Sequence, residues 1–282
     1  MGSEIISIII PCYNQGLYIQ DALDSLKKCD PRLYEVIIIN DGSSDNYTNE
    51  YLKRLSENGY HVIFQENKGL GEARNVGIAH SKGQYILPLD ADNKILPAYL
   101  EDSFRIFSKE KETAVVYGNA GYFGQKTGVL KPGHFNLQRM MLGNYIDACA
   151  VIRKSVLEEV GYYDNMQIMG FEDWDLWLRI AFKEYKFHYI DKVLFEYRVS
   201  ANSMIKNLTA DIKKQNAIKD YFLEKYPDKL DFSFVEEKIL FRIKKRFFSF
   251  LYARILKRFF PRYYQTLIDQ NKIYKGLLYD EV

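Results

Sequence analysis

The chain has 282 residues, with 39 Lys and Arg against 37 Asp and Glu, and a formal charge of +2 argues against nucleic-acid binding by its surface as a whole. A hydrophobic fraction of 47% fits a globular fold with a sizeable core, while three cysteines without CxxC spacing indicate neither a disulfide framework nor a cysteine-based zinc site. With no secretory signal and no run of about 18 uncharged apolar residues, a cytoplasmic protein without a transmembrane helix is expected.

The first half alternates apolar runs with helical patterns: Ile5–Ile10 then Leu17–Lys27, Glu35–Ile39 then Tyr51–Glu57, His61–Gln65 then Gly71–His80, and Tyr85–Leu89. This order builds an α/β fold with a mostly parallel sheet flanked by helices. Ile8-Ile9-Ile10 and Val36-Ile37-Ile38-Ile39 are apolar without alternation, as strands covered on both faces require. Later come a helix and a strand at Ala114–Tyr117, a Gly-rich strand-like stretch over 118–133, a helix around Phe135–Leu142 and a short strand at Ala148–Arg153. A helix opens at Phe171-Glu172-Asp173-Trp174-Asp175, with acids where its dipole favours them. Beyond Ser200 long helical segments rich in Lys, Phe and Tyr take over, which predicts an α/β domain at 1–205 and a C-terminal helical, basic-aromatic extension at 206–282.

In parallel sheets ligands bind beyond the carboxyl ends of the strands. There the sequence places Pro11-Cys12-Tyr13-Asn14, Asn40–Asp45, Glu66–Gly69 and Asp90-Ala91-Asp92. Asp90 and Asp92 present hard oxygen ligands that suit Mn²⁺ or Mg²⁺ shared with phosphate oxygens; the alternative is a solvated turn with Asp92-Asn93 as a helix cap. Asp41 can accept a hydrogen bond from a base imide or a ribose hydroxyl, or else close an Asx-turn, with Asp45 capping the next helix. Arg74 can approach a base or phosphates, or form an ordinary surface ion pair. Glu172-Asp173 supplies a carboxylate able to take a proton from an attacking hydroxyl, or simply favourable charge at a helix start. Trp174 and Trp177 either stack on a sugar or pack in the core. The glycines of Lys68–Asn75 lack dinucleotide-fingerprint spacing, which disfavours a dehydrogenase.

Together, Ser7–Asn14, Val36–Asp45, Asn67–Gly77, Leu87–Asp92, Val160–Asp164 and Phe171–Arg179, in that order, resemble the inverting family 2 glycosyltransferases with the GT-A fold. The resemblance implies a metal-dependent transferase that moves a sugar from a nucleotide-sugar, a uridine diphosphate sugar foremost, to a hydroxyl of a glycan or lipid-linked saccharide. It further implies that Pro11, Asp41 and Arg74 border the base and that Asp90 holds the ribose. Asp92, with Asp90, binds the metal, Asp173 is the base, Glu172 orients the acceptor or the base, and Arg198 contacts the diphosphate. The absence of a Gln-x-x-Arg-Trp element favours single transfer over processive synthesis. A non-catalytic nucleotide-sugar-binding protein of the same fold and a nucleotidyltransferase are the alternatives. In the extension, Lys238–Arg262 mixes nine basic residues with aromatics and no acid, which suits an anionic membrane surface, packing on the catalytic domain with snorkelling lysines, or an oligomer contact.

Overall fold

The computed structural model describes residues 3–166, 170–200, 212–229 and 255–269. The chain forms two compact units, Met1–Lys225 and Tyr226–Val282. The first opens with β1 (Ser3–Cys12), α1 (Ile19–Leu26), β2 (Tyr34–Asp41), α2 (Asn46–Glu57), β3 (His61–Gln65), α3 (Leu70–His80) and β4 (Gly83–Pro88). It continues with β5 (Lys94–Ile95), α4 (Pro97–Lys109), β6 (Thr113–Gly124), β7 (Gly128–Leu130), α5 (Leu137–Leu142), β8 (Val151–Arg153) and α6 (Lys154–Val160). It closes with α7 (Glu172–Phe182), β9 (Lys186–Val199) and α8 (Ile212–Lys225). The second unit contributes helical turns at 255–259 and α9 (Pro261–Asp269).

Among the described residues the strands form one sheet in the order β3-β2-β1-β4-β8-β6-β9-β5, with β7 on β6. β3, β2, β1 and β4 pair in parallel. β4 and β6 both run antiparallel to β8 and so share a direction, and β9 runs parallel to β6. The sheet is therefore mostly parallel, as its apolar, non-alternating strands require. Ile8, Ile9, Ile10, Ile37, Ile38 and Ile39 have no exposed surface. The fourteen residues of β9 extend the sheet beyond the strands read from sequence, and β5 pairs with its end at Lys94↔Glu196.

Two packing features place the functional loops. A Cβ at Gly77 would lie 2.3 Å from Ile9 Cγ2 and 2.8 Å from Ile39 Cδ1, so only glycine lets α3 sit this close to β1 and β2. At the other end of the unit, α8 falls beyond the expected boundary at 205 yet belongs to the first unit. Tyr221 donates to Asp164 at 3.0 Å, Lys225 pairs with the fully buried Asp175 at 2.7 Å, and the Phe222 ring lies 4.5 Å from Trp174. Helix α8 thereby backs the first turn of α7.

Candidate active site

Polar side chains tie the ends of β1, β2 and β3 into one rim. Asn14 adopts φ 55°, a left-handed conformation that Asn tolerates, and its Oδ1 accepts from the amides of Ser44 and Asp45 at 2.8 and 3.1 Å. Asp45 caps α2 by accepting from the Thr48 amide at 2.7 Å. Asp41 is buried at 4% exposure, and its carboxylate accepts from Gln65 Nε2 at 2.7 Å, the Lys68 amide at 2.9 Å and the Gly69 amide at 3.0 Å. It thus shapes the loop that leads into α3. Gly42 beside it has φ 64°, and a Cβ there would strike the Asn67 nitrogen at 2.4 Å. Pro11 is buried in β1, paired with Ile39.

Arg74 is not a surface residue. Its side chain is 3% exposed, and a terminal guanidinium nitrogen meets Asp90 Oδ1 at 2.9 Å. Burial disfavours its charge, but Asp90 foremost, with Tyr163, Asp173 and Glu172, holds the guanidinium protonated. Breaking such a buried pair strands a charge, at a cost of about 3–5 kcal/mol. The Tyr163 ring lies 5.3 Å from the guanidinium carbon, and its backbone is pinned to Asn75 by a reciprocal pair of hydrogen bonds at 2.8 and 3.0 Å. The seat of α3 thus carries Arg74 to Asp90 and Tyr163 to both.

After β4 the chain turns through Asp90-Ala91-Asp92-Asn93, closed by the Asn93 amide on the Asp90 carbonyl at 3.0 Å. Arg198, at the end of β9, braces this turn. Its backbone amide donates to Asn93 Oδ1 at 3.0 Å, its Nε donates to the Asp92 carbonyl at 3.1 Å, and a terminal nitrogen binds Asp21. The guanidinium is further sandwiched between Tyr18 and Phe123. Asp92 itself is half-buried, and burial together with Asp90 pushes its carboxyl up to about 6. A half-buried carboxylate beside another is the donor chemistry that Mn²⁺ or Mg²⁺ accepts. These ions use one or two carboxylates and leave their other positions to phosphate oxygens and water, so the pair fits the implied metal. No group of three His, Cys, Asp or Glu among the described residues forms a metal cage.

The opposite partner set comes from α7. Glu172 is 3% exposed and accepts from the Gly170 amide at 2.9 Å. Asp173 is half-buried, its Oδ2 accepting from Asn144 Nδ2 at 2.7 Å and its Oδ1 from the Trp174 amide at 2.9 Å. Burial pushes Asp173 up to about 6, with Arg74 opposing the rise and Glu172 adding to it. Asp175 is structural, bound to Arg179 at 2.8 Å and to Lys225. Both tryptophans serve packing. Trp177 is fully buried and donates to the Ile146 carbonyl at 3.1 Å, and Trp174 donates to the Met140 carbonyl at 2.6 Å while packing on Phe222. Arg74, Asp90, Glu172 and Asp173, far apart in sequence, therefore share one electrostatic neighbourhood.

The family model of glycosyl transferase family 2 matches residues 7–161. The chain belongs to this family. It is 23% identical over 236 residues to an uncharacterized glycosyltransferase of Methanocaldococcus jannaschii, covering 79% of this chain and 80% of that one. It is 28% identical over 233 residues to a glycosyltransferase of Rickettsia bellii, covering 78% of this chain but 34% of that one. Among solved structures, the Staphylococcus aureus TarS fragment in complex with UDP-GlcNAc superposes with a TM-score of 0.58 at 20% identity, covering 72% of this chain and 60% of that one. The mannosyltransferase PcManGT of Pyrobaculum calidifontis, in complex with GDP-Man and Mn²⁺, superposes with a TM-score of 0.55 at 18% identity, covering 70% of this chain and 58% of that one. The fold is therefore that of the GT-A glycosyltransferases, and the chain is a family 2 transferase.

Two residues of the candidate site escaped the sequence. Asn144 holds Asp173, and Asp147, half-buried, shares the field of Asp90 and Asp173, which with burial pushes it up to about 7. A lone Asp ahead of a short strand carries no signal in the sequence, and a lone Asn in a loop carries none either.

Proposed function

We propose that the chain transfers a sugar from a nucleoside diphosphate sugar, uridine diphosphate foremost, to a hydroxyl of a glycan or lipid-linked saccharide by one inverting displacement. The observation that carries this reading is the pairing of two differently held carboxylate groups around one buried arginine. Asp90 is ion-paired to Arg74, while Asp173 has no cation in hydrogen-bond contact among the described residues and sits at about 6, poised between base and acid near neutral pH.

In this reading Asp173 accepts the proton of the acceptor hydroxyl as its oxygen bonds to the anomeric carbon, and the bond to the diphosphate breaks on the other face. Glu172 holds the turn from which Asp173 projects. Pro11 and Asp41 border the nucleoside, Asp41 through the loop it shapes, and Arg74 fixes Asp90 toward the ribose. Asp92 and Asp90 would hold Mn²⁺ or Mg²⁺, which when bound supplies positive charge to the departing diphosphate. Arg198, engaged with Asp21 and the Asp92 carbonyl, acts on the diphosphate through the loop it braces.

The deciding experiment compares wild type with Asp173→Asn, reading donor affinity by calorimetry and release of the nucleoside diphosphate by a coupled assay. The variant is expected to bind UDP-sugar nearly as wild type and to lose turnover by about 10²–10⁴-fold. Near-wild-type turnover would place the base elsewhere.

The acceptor reading extends to lipid-linked substrates through the basic, aromatic stretch 238–262, of which residues 238–254 lie outside the described residues. In the described part Phe259 and Phe260 are 65% and 59% exposed, with the Arg258 guanidinium 5.9 Å from the Phe259 ring centre. No helix among the described residues is long and apolar enough to cross a membrane, so contact would be peripheral. Sedimentation with anionic vesicles at low salt is the test, and absence of binding would reject it.

A further inference from the structure

The site contains one carboxylate that the proposed mechanism does not use. Asp147 lies between α5 and β8, and its Oδ1 accepts from the Cys149 amide at 2.8 Å. Among the described residues no cation pairs with it, although it stands within the fields of Asp90, Asp173 and Arg74. The backbone on either side is fixed by two fully buried aromatics: Trp177 Nε1 donates to the Ile146 carbonyl at 3.1 Å, and the Tyr99 hydroxyl donates to the Cys149 carbonyl at 2.7 Å. The fold thus holds rigidly a carboxylate that feels two others and has one backbone donor, an arrangement that costs stability unless something supplies further donors to it.

A second observation points the same way. Among the described residues the Tyr163 hydroxyl, on a residue 3% exposed, has no hydrogen-bond partner, and neither does Nε of Arg74. Tyr163 lies 5.3 Å from the Arg74 guanidinium and feels the charges of Asp173, Asp90 and Glu172, so these donors share the neighbourhood of the carboxylates. Buried donors without acceptors cost about 1–3 kcal/mol each and are rare in finished sites. An acceptor without a cation and donors without acceptors in one charged neighbourhood match a ligand whose hydroxyls both donate and accept, which is the chemistry of a sugar ring.

Position decides which sugar. In a single displacement the transferred ring must lie between the group that holds the nucleotide and the base that faces the acceptor. Asp147 follows by three residues the Asn144 that holds Asp173 Oδ2 at 2.7 Å, and it feels the charges of both Asp90 and Asp173. We propose that Asp147 binds a hydroxyl of the transferred sugar and sets which donor sugar the enzyme prefers. This rests on the donor reading above. The loop 143–149 is then a specificity element, with Asn144 aiming the base and Asp147 gripping the ring that the base's substrate attacks.

The test is calorimetry on the full chain with Mn²⁺, using UDP, UDP-GlcNAc, UDP-glucose and UDP-galactose, together with the rate at which each donor is hydrolysed by water. Wild type is expected to prefer one UDP-sugar over UDP. In Asp147→Asn and Asp147→Ala that preference should fall by about 10- to 100-fold with UDP affinity unchanged, because a hydrogen bond to a charged group is lost. Hydrolysis of the preferred donor should fall with it.

Unchanged preference in both variants overturns the proposal. So does equal loss for UDP and UDP-sugar, which would place Asp147 at the nucleotide. Unchanged hydrolysis with impaired transfer to a saccharide also overturns it, since the residue would then serve the acceptor. Failure of wild type to bind any of the four, or GDP-mannose, would instead overturn the donor reading. Asp147→Asn keeps the size of the side chain, so a fold defect confined to Asp147→Ala leaves the comparison intact.

Discussion

The side-chain amide of Asn144 donates to Asp173 Oδ2 at 2.7 Å and so fixes the direction in which the proposed base points. A donor on a carboxylate also favours its ionised form, and Asn144 is one of the groups that restrain the rise of Asp173. Asn144→Ala is expected to move the acid limb of the kcat/KM profile upward from about 6 by roughly half to one pH unit, while the melting temperature stays nearly unchanged because Asn144 is exposed. Asn144→Asp should move it further by like-charge repulsion. An unshifted limb in both variants would show that the bond does not govern the base.

Asp92→Asn tests the metal assignment. Calorimetric affinity for the preferred donor should fall by about tenfold or more in Mn²⁺ and become insensitive to EDTA, whereas wild type should lose affinity when EDTA is added. A variant that still binds more tightly with Mn²⁺ than without would move the metal to other ligands.

The raised carboxyls have a consequence for stability, measured without metal. Asp147 at about 7 and Asp173 at about 6 bind protons more tightly folded than unfolded, so their contribution is fully present below pH 4 and is lost as pH rises through 6 and 7. Asp147→Asn should therefore raise the melting temperature more at pH 8, where both states of the wild type are ionised, than at pH 5, where the loss has only begun. After discounting for part exposure the gain is about 1 kcal/mol, or ~2–4 °C. A variant equally stabilised at both values would break the link to ionisation.

Gly77→Ala addresses the seat of α3. Its methyl would meet Ile9 Cγ2 at 2.3 Å, so the helix must lift or the strand must bend. The expected cost is about 1–3 kcal/mol in urea unfolding. Donor binding should weaken as well, because Arg74 rides on the same helix. Full stability with full binding would show that the helix–sheet contact has slack.

What the sequence disclosed was whatever local pattern determines. The apolar runs of β1 to β4, the helices between them and the polar turns at their ends are set by neighbours a few residues away, and they delivered the rim where Asp41, Asp90 and Asp92 lie. The cap at Asp45 is read in the same way. What stayed hidden depends on distant pairing. Strand β9 takes its place from β6, about 70 residues earlier by the register Thr113↔Lys186 and its successors. Arg198 has no local reason to brace Asp92, nor Arg74 to be buried against Asp90. Glu172 and Asp173 read equally well as a favourable helix start until Asn144 and Arg74 are seen beside them. The tryptophans were ambiguous because stacking and core packing ask for the same ring, and only Ile146 and Met140 decide for packing.

The brace from Arg198 to the Asp92 carbonyl also orders events in the life of the chain. Everything else that shapes the Asp90–Asn93 turn, the β4 strand and its β1 partner, is made in the first hundred residues, but the brace belongs to β9, which follows α7. During vectorial synthesis the N-terminal half can assemble β3-β2-β1-β4 from neighbouring segments, as domains built of local units do. The turn acquires its brace only once Arg198 has left the ribosome and β9 has docked along β6. A chain that ends before β9 therefore lacks the Arg198 brace on the Asp90–Asn93 turn, and with it the strand that carries the brace.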